Sequence, residues 1–187
     1  MEIQANKASI TTPAQTSSRT SMQAAADVRT VSPALERYMQ ATLFGDLWNR
    51  PDLSPRDRSI VTLAALIARN QTIEMSSCIE LALEHGVRPG EISEIITHLA
   101  FYSGWANAMA AVAAARDIFA QRGVGADQLP AASPPLLPLD RAAEEQRATL
   151  VQRDVGPVSP GLVQYTGELL FHDLWLRPDL PLGIAVW

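Results

Sequence analysis

The chain has 187 residues, of which 47% are hydrophobic and 19% are charged, and it contains a single cysteine. This length fits one domain with an appendage, and the apolar fraction is ample for a packed core, which excludes wholesale disorder. One thiol excludes an intramolecular disulfide, a CxxC redox pair and a cysteine-rich zinc cage. A net charge of −5 argues against a nucleic-acid partner, which requires a basic surface.

The first 31 residues are predicted to form a disordered N-terminal tail. To about residue 26 they are rich in Ser, Thr, Ala and Gln and show no apolar periodicity. They lack the apolar segment of a signal peptide, and no run in the chain approaches the roughly 20 apolar residues that span a bilayer. We therefore expect a cytoplasmic protein with no membrane partner.

Five helices are predicted in the next part of the chain. The second begins with Ser54 as N-cap, Pro55 and a capping-box Asp57, and it is apolar all round, so we expect it to be the buried central helix. The others are predicted over Pro33–Trp48, Ile73–His85, Pro89 to about Ser103, and Trp105–Arg122. The helix from Pro89 is expected to bury Ile92, Ile95, Ile96, Leu99 and Phe101.

Beyond residue 124 the composition changes. Four prolines between Gln128 and Pro138 predict a non-helical linker over 125–138. A charged helix capped by Asp140 and a last helix over Pro160–Trp175 are predicted after it. The prediction is an all-α fold of about six to seven helices, with one complete domain at 32–124 and a charged helix plus a partial repeat at 139–187.

The start of this domain recurs near the end of the chain. Residues 32–53 (the first repeat) and 159–180 (the second repeat) share 13 of 22 positions at a constant offset of 127, including the pattern LF-x-DLW-x-RPDL. The spacing indicates duplication of a domain rather than a solenoid. The second repeat holds only one helix and cannot form its own core. It is predicted to pack on the chain's own domain or on a neighbouring subunit rather than remain a free tail.

Four segments resemble a known family: FGDLW at 44–48, LSPRDRS at 53–59, ALEHGV at 82–87 and THLAFYSGW at 97–105. Together they resemble the carboxymuconolactone decarboxylase family of the alkylhydroperoxidase D-like superfamily, over about residues 33–122. The resemblance implies an alkylhydroperoxidase D-like helical bundle that forms trimers or hexamers, with its site among the central helices. The repeat resembles members with two such domains in tandem, the second being truncated here.

The resemblance separates two branches of that superfamily. The peroxidase branch has a CxxC pair with a His and a Glu, and the four corresponding places hold Gln71, Glu74, Cys78 and Ser59. Disulfide exchange needs a second thiol, so this argues against a peroxidase. In the decarboxylase branch the residue at the position of Cys78 is typically a histidine. An imidazole titrates near neutral pH, whereas an unperturbed thiol does not. The retained residues are Arg56, Arg58, Glu74, His98, Tyr102 and Trp105.

Cys78 and His98 are the candidate catalytic residues. Cys78 is either a buried small hydrophobe or, as the family geometry implies, a thiolate paired with His98 that acts as nucleophile or base. A metal set of Cys78, His98 and Glu74 is a further alternative, and we predict no metal. His98 follows Glu94 by four residues, and that pair either orients the imidazole for proton transfer or forms an ordinary interface edge.

The substrate-binding candidates are Arg58, Glu74, Tyr102 and Trp105. Arg58 can hold a carboxylate bidentately, or it can pair with Asp57 or Asp52 as scaffold. Trp48 and Trp175 are interpreted as packing anchors, and His85 as an exposed residue at a helix end.

These residues predict a cofactor-free enzyme that acts by proton transfer on a small carboxylated or lactone/enol-type metabolite, through decarboxylation, isomerisation or cyclisation. We expect a homo-oligomer, a trimer or a hexamer. The alternative is a non-catalytic oligomeric scaffold or small-molecule-binding protein derived from the family.

Overall fold

The computed structural model describes residues 27–180, and within that range the protein is helical and contains no strand. The all-α prediction is thus confirmed. The chain divides into two compact units, Met1–Leu53 and Ser54–Trp187. Residues 27–31, which the sequence assigns to the tail, are helical. The rest of the predicted tail lies outside the described residues.

The first unit contains three kinds of helix in succession. An α-helix, α1 (Pro33–Tyr38), continues as a π-helix over Met39–Phe44, and a 3₁₀ turn follows over Leu47–Asn49. The side-chain amide of Asn49 donates hydrogen bonds to the carbonyls of Phe44 and Gly45, at 2.7 and 3.3 Å, and so satisfies the end of the π-helix. The regular helix predicted over Pro33–Trp48 is therefore wrong in its geometry, although most of its residues are helical.

The core of the second unit consists of four helices packed on one another. They are α2 (Pro55–Ala68), α3 (Thr72–Glu84), α4 (Pro89–Ser103) and α5 (Trp105–Arg122). Ser54 Oγ accepts the backbone N–H of Asp57 at 3.1 Å, which confirms Ser54 as the N-cap of α2. Gly86 and Gly123 have φ of 86° and 67°, which favours glycine after a helix.

Two burial predictions for these helices are wrong. Val61 of α2 is 58% exposed and Phe101 of α4 is 40% exposed. In α2 the buried positions are one stripe at three- and four-residue spacing: Ser59, Ile60, Leu63 and Ile67. Its opposite face is apolar because it carries alanine and valine, but no other helix of the unit covers it fully. Apolar character on all sides therefore did not establish burial on all sides.

After α5 come a 3₁₀ turn over Ala126–Gln128 and an irregular linker. Helix α6 (Arg141–Asp154) begins at Asp140, whose side chain accepts the N–H groups of Ala142 and Ala143 at 3.0 and 3.1 Å. Within residues 27–180, no helix combines the length and the apolar character that crossing a bilayer requires.

The second repeat has the same succession of helices as the first. An α-helix, α7 (Pro160–Tyr165), leads into a π-helix over Thr166–Phe171 and a 3₁₀ turn over Leu174–Leu176. It is anchored within the second unit: Phe171, Leu174 and Leu180 are buried, and Leu180 belongs to the core of that unit. The segment therefore packs on the chain's own domain, which is one of the two arrangements predicted for it.

Candidate functional site

Three of the residues singled out in the sequence lie on one face of α4. Glu94, His98 and Tyr102 occupy successive turns, since side chains four residues apart on a helix are neighbours. His98 Nδ1 lies 2.8 Å from the backbone carbonyl oxygen of Glu94. A carbonyl oxygen only accepts, so Nδ1 carries the hydrogen and the neutral ring keeps Nε2 as its proton acceptor. The site therefore presents an oriented imidazole.

Glu94 is held by Arg177 of the second repeat. Its carboxylate is 1% exposed and lies within hydrogen-bond distance of two nitrogens of Arg177, Nε at 2.8 Å and Nη2 at 2.7 Å. Hydrogen bonding to Glu94 raises the pKa of the Arg177 guanidinium. Glu94 Oε2 is 3.8 Å from His98 Nδ1, so the carboxylate bonds primarily to Arg177 and not to the imidazole. The predicted Glu94–His98 pairing is therefore made through the Glu94 backbone.

The far end of the same face contacts the second repeat. Trp175 Nε1 donates a hydrogen bond to the Tyr102 hydroxyl at 2.5 Å. Tyr102 remains 53% exposed. Trp105 is more exposed still, and its ring packs against Phe101 with centroids 5.8 Å apart. Tyr102 thus lies near His98, whereas Trp105 faces solvent at the start of the next helix.

Cys78 is a member of the buried core of the second unit. Burial raises the pKa of its thiol to about 11, so it is protonated at neutral pH. No hydrogen bond joins Cys78 to His98 in the part of the chain that the structure describes. Glu74 is exposed on the same helix. Residues 27–180 contain no group of three His, Cys, Asp or Glu side chains placed to hold a metal, so the set Cys78, Glu74 and His98 does not converge.

The two arginines at the start of α2 differ in role. Arg56 donates to Glu91 Oε1 at 2.5 Å and to Asp57 Oδ1 at 3.3 Å. Arg56 thus forms a scaffold pairing with Asp57. Arg58 is half-buried, and its backbone carbonyl accepts the Thr62 hydroxyl at 2.8 Å.

Glu91 is a second buried carboxylate, at the first turn of α4. Its desolvation by burial raises its pKa, but hydrogen bonds from the backbone and side chain of Arg88 and the charges of Arg56 and Arg88 outweigh that effect. The net result is a lowered pKa. Glu91 is therefore a charged structural element that ties α2 to α4.

Sequence reasoning missed a second histidine contact. His85 Nδ1 lies 2.8 Å from Ser59 Oγ, and Ser59 Oγ donates to the Pro55 carbonyl at 2.9 Å. Since that hydroxyl hydrogen is already used, Nδ1–H of His85 donates to Ser59, and the histidine cannot activate the serine through this nitrogen. His85 is half-buried rather than exposed. The pair fixes α3 to α2 and is structural.

One surface depression lies away from all of these residues. It has a volume of about 490 Å³, opens widely to solvent, and is lined along α6 by Ala142, Glu145, Gln146, Thr149 and Leu150. It contains no residue singled out in the sequence and no buried charge. We therefore place the candidate site on α4.

Comparison with known proteins supports the resemblance seen in the sequence. Residues 33–117 match the profile of the carboxymuconolactone decarboxylase family. A 4-carboxymuconolactone decarboxylase of Acinetobacter baylyi is 28% identical over 94 residues, which cover 50% of this chain and 70% of that protein. A nitrosuccinic acid decarboxylase of Metarhizium robertsii is 34% identical over 61 residues, 33% of this chain and 43% of that protein. The matched segment of this chain contains α1 to α5 except for the last turn of α5.

Proposed function

We propose that this chain, whose residues 33–117 have the carboxymuconolactone decarboxylase family pattern, is an enzyme that removes CO₂ from a small carboxylated metabolite. Both relatives carry the name decarboxylase and differ in the acid they are named for. The shared reaction supports a decarboxylase more strongly than the isomerase or cyclase alternatives.

The oriented imidazole of His98 is the observation that carries this proposal. Decarboxylation breaks a carbon–carbon bond, and the electron pair left on carbon must finally accept a proton. His98 Nδ1–H is anchored on the Glu94 carbonyl at 2.8 Å, which leaves Nε2 free to take up a proton from solvent and then deliver it to that carbon, so that the ring returns to its neutral form. Its side chain is 12% exposed, so the imidazole itself has limited contact with bulk water.

Arg58 and Cys78 have subordinate roles in the proposal. Arg58, together with Glu74, Tyr102 and Trp105, is proposed to contact the substrate, Arg58 by pairing with a carboxylate. Cys78 is proposed as a protonated thiol in the core, because a nucleophilic or basic role requires the thiolate. Its pKa of about 11 argues against a nucleophilic role.

CO₂ release by the purified chain, with 4-carboxymuconolactone and nitrosuccinate as probes, tests the proposal. We expect turnover on at least one acid, and we expect His98→Gln to reduce kcat by about 10²–10⁴-fold, the usual contribution of a general acid. Cys78→Ser is expected to retain most activity. His172→Gln is the matched control, since His172 lies on the second repeat and is 50% exposed. Full activity in His98→Gln would exclude this mechanism.

A second function, a non-catalytic binding protein, is favoured by the state of Cys78. A buried protonated thiol stands where the family typically has a histidine. This alternative predicts saturable binding of the same acids by calorimetry without CO₂ release. Slow alkylation of Cys78 by iodoacetamide in the folded protein agrees with both functions, whereas rapid alkylation near neutral pH would indicate an activated thiolate.

We further propose a cytoplasmic homo-oligomer, a trimer or hexamer, as the family resemblance implies. An exposed apolar stripe on α5 supports self-association: Trp105, Met109 and Val112 follow one another at helical spacing and are 67%, 61% and 45% exposed. Light scattering after size-exclusion chromatography measures the mass directly, and a 20.3 kDa monomer at micromolar concentration would refute this proposal.

A further inference from the structure

We infer that residues 174–177 of the second repeat (the gate segment) form a gate over His98, which Arg177 and Trp175 close. The proposed function enters this inference only by making His98 the reactive residue that the gate controls. The contacts that close the gate join α4 to residues 174–177, and all of them lie within the second unit.

The gate is attached to α4 on both sides of His98. Arg177 binds Glu94, one turn before His98, and Trp175 binds Tyr102, one turn after it. Eight residues of α-helix span about 12 Å, and His98 stands at the midpoint. The chain from Trp175 to Arg177 therefore crosses the turn that carries the imidazole. This position explains why the His98 side chain is 12% exposed although Tyr102 on the same face is 53% exposed.

Buried apolar side chains at and before the gate segment hold it to the second unit. Phe171 and Leu174 are 5% and 3% exposed. The guanidinium of Arg147 on α6 lies over the rings of Phe171 and Trp175, at 5.1 and 5.4 Å from their centroids. The Leu137 backbone N–H donates to the Leu176 carbonyl at 2.7 Å and ties the segment to the linker. The segment can thus stay attached to the domain when its polar contacts to α4 open.

The contacts across the gate are polar, and Arg177 makes most of them. Besides Glu94, its guanidinium donates to the carbonyls of Ala131 and Ala132, at 3.1 and 3.2 Å. One side chain therefore joins the second repeat, the linker and α4. The Glu94 carboxylate is 1% exposed in this closed arrangement, so loss of Arg177 would leave an uncompensated buried charge and favour an open, hydrated arrangement. Arg177 is thus the latch of the gate.

The rate at which diethyl pyrocarbonate modifies each histidine of the full-length chain, followed by peptide mass spectrometry, tests the gate. It needs no substrate and no turnover, so it separates this inference from the proposed function. In the unmodified sequence we expect His98 to react much more slowly than His172. In Arg177→Gln we expect His98 to react on the order of tenfold faster or more, because the latch is a buried ion pair.

Two internal controls accompany this measurement. Arg50→Gln changes the same residue type at the equivalent place of the first repeat, and it should leave the His98 rate unchanged. His85, bonded to Ser59 in the core, reports global unfolding and should keep its rate in every variant. An unchanged His98 rate in Arg177→Gln, or a His98 rate in the unmodified chain equal to that of His172, would overturn the gate.

Trp175→Phe is the second variant. It serves if Arg177→Gln loosens the whole domain and so also raises the rate at which His85 is modified. It keeps the aromatic ring and removes only the hydrogen bond to Tyr102. A faster His98 with an unchanged His85 in this variant supports the gate, and an unchanged His98 contradicts it.

Discussion

The first and second repeats have the same backbone and opposite burial. Each runs through an α-helix, a π-helix and a 3₁₀ turn whose limits differ by the same 127 positions. Yet Phe44 and Leu47 are 46% and 49% exposed, whereas Phe171 and Leu174 are 5% and 3% exposed. The local sequence therefore determines the type of helix, and the surroundings determine whether its apolar side chains are buried.

The two arginines at equivalent positions of the repeats, Arg50 and Arg177, show the same difference. Arg50 bonds Asp52, two residues away, at 2.9 Å, whereas Arg177 bonds Glu94 across 83 residues. We propose that the two segments arose by duplication, which their 13 identical positions of 22 and their matching helix limits support. In that case the second repeat has kept the sequence of a domain start and serves as a cover for α4.

The largest expected difference in stability between the repeats is at the equivalent leucines Leu47 and Leu174. Leu174→Asp introduces a charge at a buried position and should lower the free energy of unfolding by about 5 kcal/mol or more. Leu47→Asp, at the equivalent exposed position, should change it by less than about 0.5 kcal/mol. Urea unfolding followed by circular dichroism measures both. Equal losses in the two variants would mean that the first repeat is also buried in solution.

The arginine pair should give the next largest difference. Arg177→Gln removes the buried partner of the Glu94 carboxylate, and we expect the free energy of unfolding to fall by about 3–5 kcal/mol. Arg50→Gln removes an exposed pair and should cost less than about 1 kcal/mol. The same unfolding curves report both values. A loss below 1 kcal/mol in Arg177→Gln would show that the Arg177–Glu94 pair contributes little to the fold.

Acid should affect the second unit through Glu91. Because its pKa in the folded protein is lowered from 4.5, it binds protons more readily when unfolded, so its contribution is present above pH 4.5 and is lost as the pH falls below that value. Unfolding midpoints measured from pH 7 to pH 3 should decline most steeply below pH 4.5. In Glu91→Gln that decline should be shallower, and an identical slope would exclude Glu91 as its source.

The smallest expected difference is at the helix caps. Ser159 Oγ accepts the Leu162 N–H at 3.4 Å, whereas Ser32 makes no side-chain cap hydrogen bond to its helix. Ser159→Ala should therefore cost about 0.5 kcal/mol, and Ser32→Ala should be close to neutral. Thermal unfolding of the two variants side by side resolves the difference, and a larger loss in Ser32→Ala would reverse the assignment.

Much of the fold was predictable because its signals are local. The Ser54 cap, the glycines after α3 and α5 and the Asp140 cap fixed the helix limits to within a residue or two. The π-helical turns were not predictable, because their wider hydrogen bonding leaves no spacing distinct from an α-helix in so short a segment. The exposure of Val61 and Phe101 depends on which elements pack against them, and the apolar character of a residue does not reveal its neighbours.

The candidate site was predictable only in part. The spacing of Glu94, His98 and Tyr102 placed them on one helix face, and the structure agrees. The role of Arg177 was missed because its partner Glu94 lies 83 residues away in the sequence. The Ser59–His85 contact likewise joins separate helices, and no spacing in the sequence indicates it.

Decarboxylation of 4-carboxymuconolactone in D₂O tests the central claim, proton delivery by His98, most directly. With product analysed by NMR, the unmodified chain should release CO₂ and place one deuterium on a carbon of the product. His98→Gln should form product at a rate lower by about 10² or more, while His172→Gln should match the unmodified chain. Equal rates and equal deuterium in the His98 variant would contradict the account.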